Sequence, residues 1–345
     1  MRIVIDAMGG DHAPNAPVQG ALLYDEVSNT NDELILVGDK AVIEQALRDS
    51  GKKPSDRIRI VHASEVIDMN DQPATAVRQK KDSSMVKGTR MQKDGEADAF
   101  VSAGSTGAQM ASSLFILGRV KGVSRPSLGA FIPSEKGGVT LLIDVGANSD
   151  CKPMQMLQFG IMGSIYMGLT YGIDSPKVGL LNIGEEKSKG NELAVATYQL
   201  LKEQLPNFTG NVEGRDVLGG VADVVVTDGF TGNVVLKFAE GIAGHFEKTL
   251  KSSIAESFVS KIGGLLLKPA LKSLKQSFDY EEYGGVPLLG VDGISIICHG
   301  SSSPKALMNA IRVARHMGDN QVNKHILEAL DERKTEWDEK QSSPA

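Results

Sequence analysis

The chain has 345 residues, 41% hydrophobic and 23% charged, with 37 Lys and Arg against 43 Asp and Glu, a net charge of −6. That length suits one large α/β body or two domains, and the acidic balance argues against an overall nucleic-acid footprint. Two cysteines outside any C-x-x-C pair exclude a disulfide framework and a structural zinc site, as expected of a reduced, cytosolic protein, and no uncharged apolar run approaches the ~20 residues of a bilayer span.

Arg2–Asp6 reads as a strand rather than a signal peptide. It runs into Gly9-Gly10-Asp11-His12, glycines beside an acid and an imidazole where open α/β sheets place ligands. Val18–Val27 reads as a helix, Leu34–Val37 as a strand, Lys40–Ser50 as a helix and Arg59–His62 as a third strand. This alternation predicts a doubly wound, mainly parallel sheet. Neither G-x-G-x-x-G nor G-x-x-x-x-G-K-[ST] occurs, so there is no standard dinucleotide fingerprint and no Walker loop. Ala74–Lys93 has helical character and carries Arg78, Lys80, Lys81, Lys87, Arg90 and Lys93 against Asp82 alone. That is a solvated face or a docking surface for an acidic partner, with Arg78, Lys81, Lys87 and Arg90 as its steering charges.

Ala97–Ala108, ADAFVSAGSTGA, opens a pattern that returns at Ala222–Leu236, ADVVVTDGFTGNVVL; both fit A-D-x-x-V-[ST]-x-G-x-T-G. Each copy reads as a buried strand, a glycine turn and a helix, which opens near Asn233 in the second. N–H groups in a helix's first turn have no partner within it, so Ser105-Thr106-Gly107 and the turn holding Asp228, Thr231 and Gly232 predict anion sites. Two copies suggest two similar edges facing one crevice. The plainer reading is a duplication that serves packing alone.

Between the copies, a helix is predicted over Ala108–Leu117, and the strand Val139–Ile143 ends in Asp144-Val-Gly-Ala-Asn148. The helix after Pro153 carries Gly160, Gly163, Ser164 and Gly168, small residues that permit very close packing, as against a symmetry mate. Val178–Gly184 is a strand whose loop places Lys189 before Gly190, a point charge able to reach a crevice. Beyond the second copy come a helical stretch from Val234 to about Ser260, a loop at Gly284–Gly290 and a last strand, Gly293–Cys298. That strand ends in His299-Gly300-Ser301, and a final helix follows from Lys305. The organisation expected is one body over 1–335 with two lobes, about 1–135 with 285–335 and 136–284. A helix hairpin occupies 245–280, and 336–345 form a polar tail.

The hairpin has a distinct pattern. Leu250, Ile254 and Phe258 recur at steps of four, Leu267, Leu271, Leu274 and Phe278 at helical spacing, and Gly263-Gly264-Leu265-Leu266-Leu267 makes an apolar tip. Lysines outnumber acids around it, as in an interfacial hairpin on anionic lipid. The alternative is that these faces form core or meet a partner subunit.

The strand ends thus gather Asp6, Asp11, His12, Asp144, Asn148, Lys189, Asp228, Asn233, His299 and Ser301. No G-x-S-x-G elbow presents a nucleophilic serine. Cys298 adjoins His299, but adjacent strand residues point to opposite faces, which favours a buried structural cysteine. No H-E-x-x-H or D-x-D cluster fixes a metal, so neither metal nor cofactor is expected.

Asp6-Ala-Met-Gly-Gly-Asp-His-Ala-Pro14, Ser102-Ala-Gly-Ser-Thr-Gly-Ala108, Asn182-Ile-Gly-Glu-Glu186 with Lys189-Gly190, Thr227-Asp-Gly-Phe-Thr-Gly-Asn-Val234 and Cys298-His-Gly-Ser301 jointly resemble the bacterial phosphate acyltransferases, the PlsX family. The resemblance runs nearly end to end; Ser105 stands where the family more usually has an amide. It implies a three-layer αβα sandwich similar to the isopropylmalate/isocitrate dehydrogenase and phosphotransacetylase group. It implies transfer of a long-chain acyl group from acyl carrier protein to inorganic phosphate, with Lys189 and Asn233 as the catalytic pair. Gly9, Gly10, Asp11, His12, Ser105, Thr106, Gly107, Asp144, Asn148, Asp228, Thr231, Gly232, His299 and Ser301 are then the expected substrate and phosphate residues. A homodimer is expected, cytoplasmic and held peripherally on the inner membrane face through Leu265, Leu266 and Leu267. Its acyl phosphate passes to a membrane acyl-phosphate:glycerol-3-phosphate acyltransferase. The competing readings are a metal- and NAD-dependent decarboxylating dehydrogenase of similar fold and a non-catalytic membrane scaffold.

Overall fold

The computed structural model describes residues 1–135, 137–256, 260–263, 265–269, 281 and 283–342. In chain order its elements are β1 (Arg2–Asp6), α1 (Asn15–Val27), β2 (Glu33–Gly38), α2 (Lys40–Asp49), β3 (Ile58–His62), α3 (Pro73–Gln79), α4 (Ser84–Lys93), β4 (Ala99–Ser102) and α5 (Thr106–Ser112). A π-helical turn, Ser113–Leu117, continues α5. There follow β5 (Ser127–Pro133), β6 (Val139–Ile143), α6 (Pro153–Tyr171), β7 (Val178–Asn182), α7 (Glu192–Gln204), β8 (Phe208–Glu213), β9 (Val224–Val226) and α8 (Gly229–Ala255). The chain closes with β10 (Val286–Leu289), β11 (Ile294–Ile297), α9 (Pro304–Asp319) and α10 (Val322–Ser342).

Two compact units result, one of 1–129, 161–176 and 281–345, the other of 130–160 and 177–280. The division falls within β5 and within α6. Residues 161–176 therefore belong with the first unit, where the chain-order reading put them in the second lobe.

In the first unit the strand order is β3-β2-β1-β4-β11-β10-β5. The neighbours from β3 to β11 pair in parallel, and β10 runs antiparallel to both β11 and β5. The sheet is apolar on both faces because helices cover it, as parallel sheets require. On one face Val4, Ile35, Val37 and Phe100 meet Met85, Val86 and Met91 of α4. A Cβ at Gly88 would lie 2.6 Å from the Phe100 ring, so glycine there sets how closely α4 approaches.

In the second unit β6, β9, β7 and β8 follow one another in that order and pair in parallel. Gly160 lets α6 approach α7 and β9: its Cβ would lie 3.3 Å from both Leu201 and Val226. The small residue at this position thus serves packing inside the chain, where the sequence suggested a symmetry mate.

Several expectations shift. The basic stretch 74–93 is two helices, because Ser83 accepts the Val86 N–H (3.3 Å) and starts a new one. Helix α8 begins at Gly229, four residues before Asn233, because Asp228 caps it. Gly284–Gly290, read as a loop, contains β10, a short strand recognisable only by the strands on either side of it. Helix α10 continues through Ser342, so 336–342 are helical where composition reads as a tail. Of the hairpin, 257–259, 264 and 270–280 lie outside the described residues. Residues 265–269 are helical, with Leu265, Leu266 and Leu267 exposed at 69%, 77% and 56%.

The repeated A-D motif has a physical basis. Asp98 accepts the backbone N–H of Arg2 at 2.7 Å, pinning the start of β1 to β4. Asp223 does the same for Lys177 at 2.7 Å, pinning the approach to β7 beside β9. Alanine at Asp98 leaves the part-buried Arg2 N–H without its acceptor, at an expected cost of about 1–3 kcal/mol, and alanine at Asp223 frees an exposed N–H, at about 0.5–1.5 kcal/mol. Thermal unfolding of Asp98→Ala and Asp223→Ala checks this; unchanged melting in both would show that water replaces the carboxylate.

Candidate active site

In each unit, three loops leave the carboxyl ends of three adjacent parallel strands, the position where open α/β sheets bind ligands. In the first unit these strands are β1, β4 and β11; in the second, β6, β9 and β7. In both, the middle strand is the one that carries the repeated motif.

In the first unit Asp6 ends β1 and is buried. It accepts the Met8 N–H (3.1 Å) and the Ser102 hydroxyl (2.7 Å), and further bonds come from Ser84 and the Gly9 N–H. Burial raises its pKa above the usual carboxylate value, against the pull of those bonds. Ser102 in turn accepts the Gly104 N–H at 2.9 Å, so one carboxylate joins the ends of β1 and β4. A Cβ on Gly9 would lie 2.6 Å from Asp6 Oδ2, which explains that glycine. The third loop joins through the Asp11 N–H, which donates to Gly300 O at 2.8 Å. Gly10, at φ +100°, would place a Cβ 2.9 Å from the same oxygen. His299 Nδ1 lies 2.8 Å from Ser301 Oγ and accepts the Ser301 N–H at 3.2 Å. Asp11, His12, Thr106 and His299 are exposed around these loops, whereas Ser105 is buried and caps α5.

In the second unit the Ile143–Asp144 peptide is cis, and Asp144 is fully buried. Its carboxylate accepts the Ala147 N–H (3.2 Å), the Asn148 N–H (2.7 Å) and Asn148 Nδ2 (3.0 Å). Gly229 donates its N–H to Asn148 O at 2.8 Å, fixing the start of α8 against this turn. Gly146, at φ +127°, faces Asn233 at ordinary van der Waals distance: a Cβ there would sit 3.6–3.8 Å from that side chain. Asp228 accepts the Thr231 N–H (2.9 Å) and hydroxyl (2.7 Å). The second Thr-Gly turn therefore lies inside the first turn of α8, with two of its donors engaged by the capping carboxylate rather than open to an anion. The same motif starts α5 two positions later, at Thr106.

Lys189 is exposed on the loop after β7. Asn182 Nδ2 donates to Lys189 O (2.9 Å), and Asn211 Nδ2 to Glu186 O (2.9 Å), closing that loop on the ends of β7 and β8. Gly190, at φ +98°, would place a Cβ 2.5 Å from Asn182 Oδ1. Thus β9 and β7, side by side, deliver Asn233 and Lys189 from the same end of the second unit's sheet.

Neither thiol suits nucleophilic work. Burial pushes Cys298 up to about 12 and Cys151 up to about 11, so almost none is thiolate near neutral pH. Among the described residues, no group of three or more His, Cys, Asp or Glu side chains is placed to share a metal ion.

The basic surface of the first unit is smaller than its charge count suggests. Lys87 pairs with Asp82 (2.7 Å) and Lys80 with Asp71 (2.5 Å). The Lys87 bond, then those from Ser64, hold Asp82 well below the usual carboxylate range. Arg78 lies 5.1 Å from the centre of the exposed Phe115 ring, a cation–π contact on the π-helical turn. Lys81 and Arg90 are exposed. Sequence reasoning missed Phe115, which carries no periodic signal, and read Gly146 and Gly229 only as turn glycines, because their contacts lie far apart in the chain.

The fold is that of the phosphotransacetylases and of a related dehydrogenase. A phosphotransacetylase from Streptococcus pyogenes matches 92% of this chain and 94% of its own with a TM-score of 0.62 at 18% identity. A 4-hydroxythreonine-4-phosphate dehydrogenase from Klebsiella pneumoniae gives a TM-score of 0.53 at 11% identity, over 92% and 97%. The family model described as fatty acid synthesis protein matches residues 1–325. The phosphate acyltransferase of Pelotomaculum thermopropionicum is 54% identical over 332 residues, 96% of this chain and 95% of that one. That of Desulfitobacterium hafniense is 56% identical over 316 residues, 91% and 93%. The chain belongs to the phosphate acyltransferase family and is an acyltransferase.

Proposed function

We propose that the protein transfers a long-chain acyl group from the thioester of an acyl carrier protein to inorganic phosphate, giving acyl phosphate for phospholipid synthesis. The family membership over nearly the whole chain carries this reading. A phosphate oxygen attacks the thioester carbonyl, the carbonyl oxygen takes negative charge, and the C–S bond then breaks to release the carrier's thiol. Phosphate dianion is itself the nucleophile, so no strong general base is needed. What the protein supplies is position and charge stabilisation. Lys189 and Asn233, an ammonium and an amide donor, fit the developing oxyanion. The raised thiols support direct transfer without an acyl-enzyme.

Lys189→Ala and Asn233→Ala are each expected to lower kcat about a hundredfold or more, the range for an oxyanion donor. Carrier-bound palmitoyl thioester with labelled phosphate is the assay. Near-normal turnover removes the residue from the site, and a covalent acyl adduct surviving a denaturing quench overturns direct transfer.

The carrier, an acidic protein, is proposed to dock on Arg78, which lies beside Phe115, and on Lys81 and Arg90, with Lys87 contributing less because Asp82 holds it. Charge reversal at Arg78 and Arg90 should raise KM for the carrier-bound thioester and flatten its dependence on salt. Unchanged kinetics would return this surface to a solvated face.

Among the described residues no helix is long and apolar enough to cross a membrane. We propose peripheral contact with anionic lipid at the inner membrane face through Leu265, Leu266 and Leu267, where the amphiphilic product can pass to a membrane acyl-phosphate:glycerol-3-phosphate acyltransferase. The uncovered apolar line Phe230, Val234, Phe238, Ile242 and Phe246 on α8 supports a homodimer. Leu265→Glu with Leu266→Glu should release the protein from anionic liposomes while sparing activity on soluble substrate. Binding that persists would exclude the tip as anchor.

A further inference from the structure

The two units repeat one device down to its register. Ile3, Val4 and Ile5 of β1 pair with Ala99, Phe100 and Val101 of β4. Leu141, Leu142 and Ile143 of β6 pair with Val224, Val225 and Val226 of β9. These are the same positions of the A-D-x-x-V motif. Asp6 comes next as the last residue of β1, and Asp144 comes next as the residue just after β6, both buried and both accepting N–H groups from the turn they begin. Each also stands against the glycine at the same motif position on the middle strand's loop. A Cβ at Gly104 would lie 3.5 Å from Asp6 Oδ2, and one at Gly229 would lie 2.7 Å from Asp144 Oδ2. The acid is therefore part of the device that shapes each loop.

A carboxylate has acceptors only and repels a dianion, so these acids do not suit phosphate binding. In the second unit the chain of contacts leads elsewhere. Asp144 shapes the turn to Asn148. Asn148 O holds the first residue of α8 through Gly229 N–H. The next turn of that helix presents Asn233 to Gly146, in the middle of the turn that Asp144 holds. Gly232 lies so close beneath that its Cβ would fall 2.0 Å from Asp144 O.

We propose that Asp144 is a positioning residue for Asn233, acting on acyl transfer only through the placement of that amide. The proposal rests on the assignment of Asn233 to the oxyanion. If it holds, Asp144 matters when Asn233 is present and hardly at all when it is absent.

The experiment is a double-mutant cycle with full kinetics on phosphate and the carrier-bound thioester, together with thermal unfolding of every variant. Asp144→Ala should lower kcat by roughly 30-fold or more with the KM for phosphate within about twofold. Asp144→Asn keeps one acceptor oxygen and should recover most of that loss; it also serves if the alanine variant does not fold. Added to Asn233→Ala, either substitution should change the residual rate by less than about threefold. Losses that multiply in the double variant overturn the proposal while leaving Asn233 in its role. A raised KM for phosphate with kcat intact overturns it in favour of a binding role. A normal rate in Asn233→Ala alone removes the oxyanion assignment, and this inference with it.

Discussion

A carboxylate buried at the carboxyl end of a strand is the constraint on which each unit's site depends. Burial is costly for a charge unless hydrogen bonds replace the lost water. At Asp6 and Asp144 the replacement comes from backbone N–H groups of the turn that follows and from a polar side chain nearby. Satisfying the acid therefore dictates the path of the turn. The path then dictates where glycine must stand, since Gly9 and Gly229 each lie too close to a carboxylate oxygen for a side chain.

From these turns the placement of the polar loops follows with little further machinery. A parallel sheet ends all its strands at one edge, so residues distant in sequence arrive together on loops. In the second unit this brings the loops of β6, β9 and β7 side by side with Asn148, Asn233 and Lys189 among them. An acyl transfer to phosphate needs donors and fixed geometry more than it needs a strong base. Among the residue types present are amides, hydroxyls, exposed lysines that include Lys189, and thiols kept protonated by burial.

The duplicated motif is conserved between the units in framework and altered in its opening. Asp98 and Asp223 make the same bond to a neighbouring strand. The helices that follow begin two motif positions apart, because Ser105 caps one and Asp228 the other. A hydroxyl cap adds no charge to the first Thr-Gly turn. An aspartate cap places a carboxylate on Thr231. One motif therefore gives two electrostatically different turns, one capped by a neutral hydroxyl and the other by a carboxylate in the helix that carries Asn233.

Read alone, the sequence determined the parallel α/β class, the strand ends that carry polar loops, the repeated motif and the exposed apolar tip. These are local signals: runs of β-branched residues, glycine turns and helical spacing report on a few neighbouring positions at a time. Its motifs were also specific enough to name a family. Tertiary structure alone decided what depends on distant partners. Strand β10 carries no alternating pattern and exists because β5 and β11 flank it. Which of the basic residues Asp82 neutralises is not legible in the sequence; the fold places it on Lys87. Asp144 reads as one more polar residue at a strand end, since nothing local distinguishes an acid open to solvent from one that holds a turn. Burial and the direction of its hydrogen bonds make that distinction, and both come into being only when the chain has folded around it.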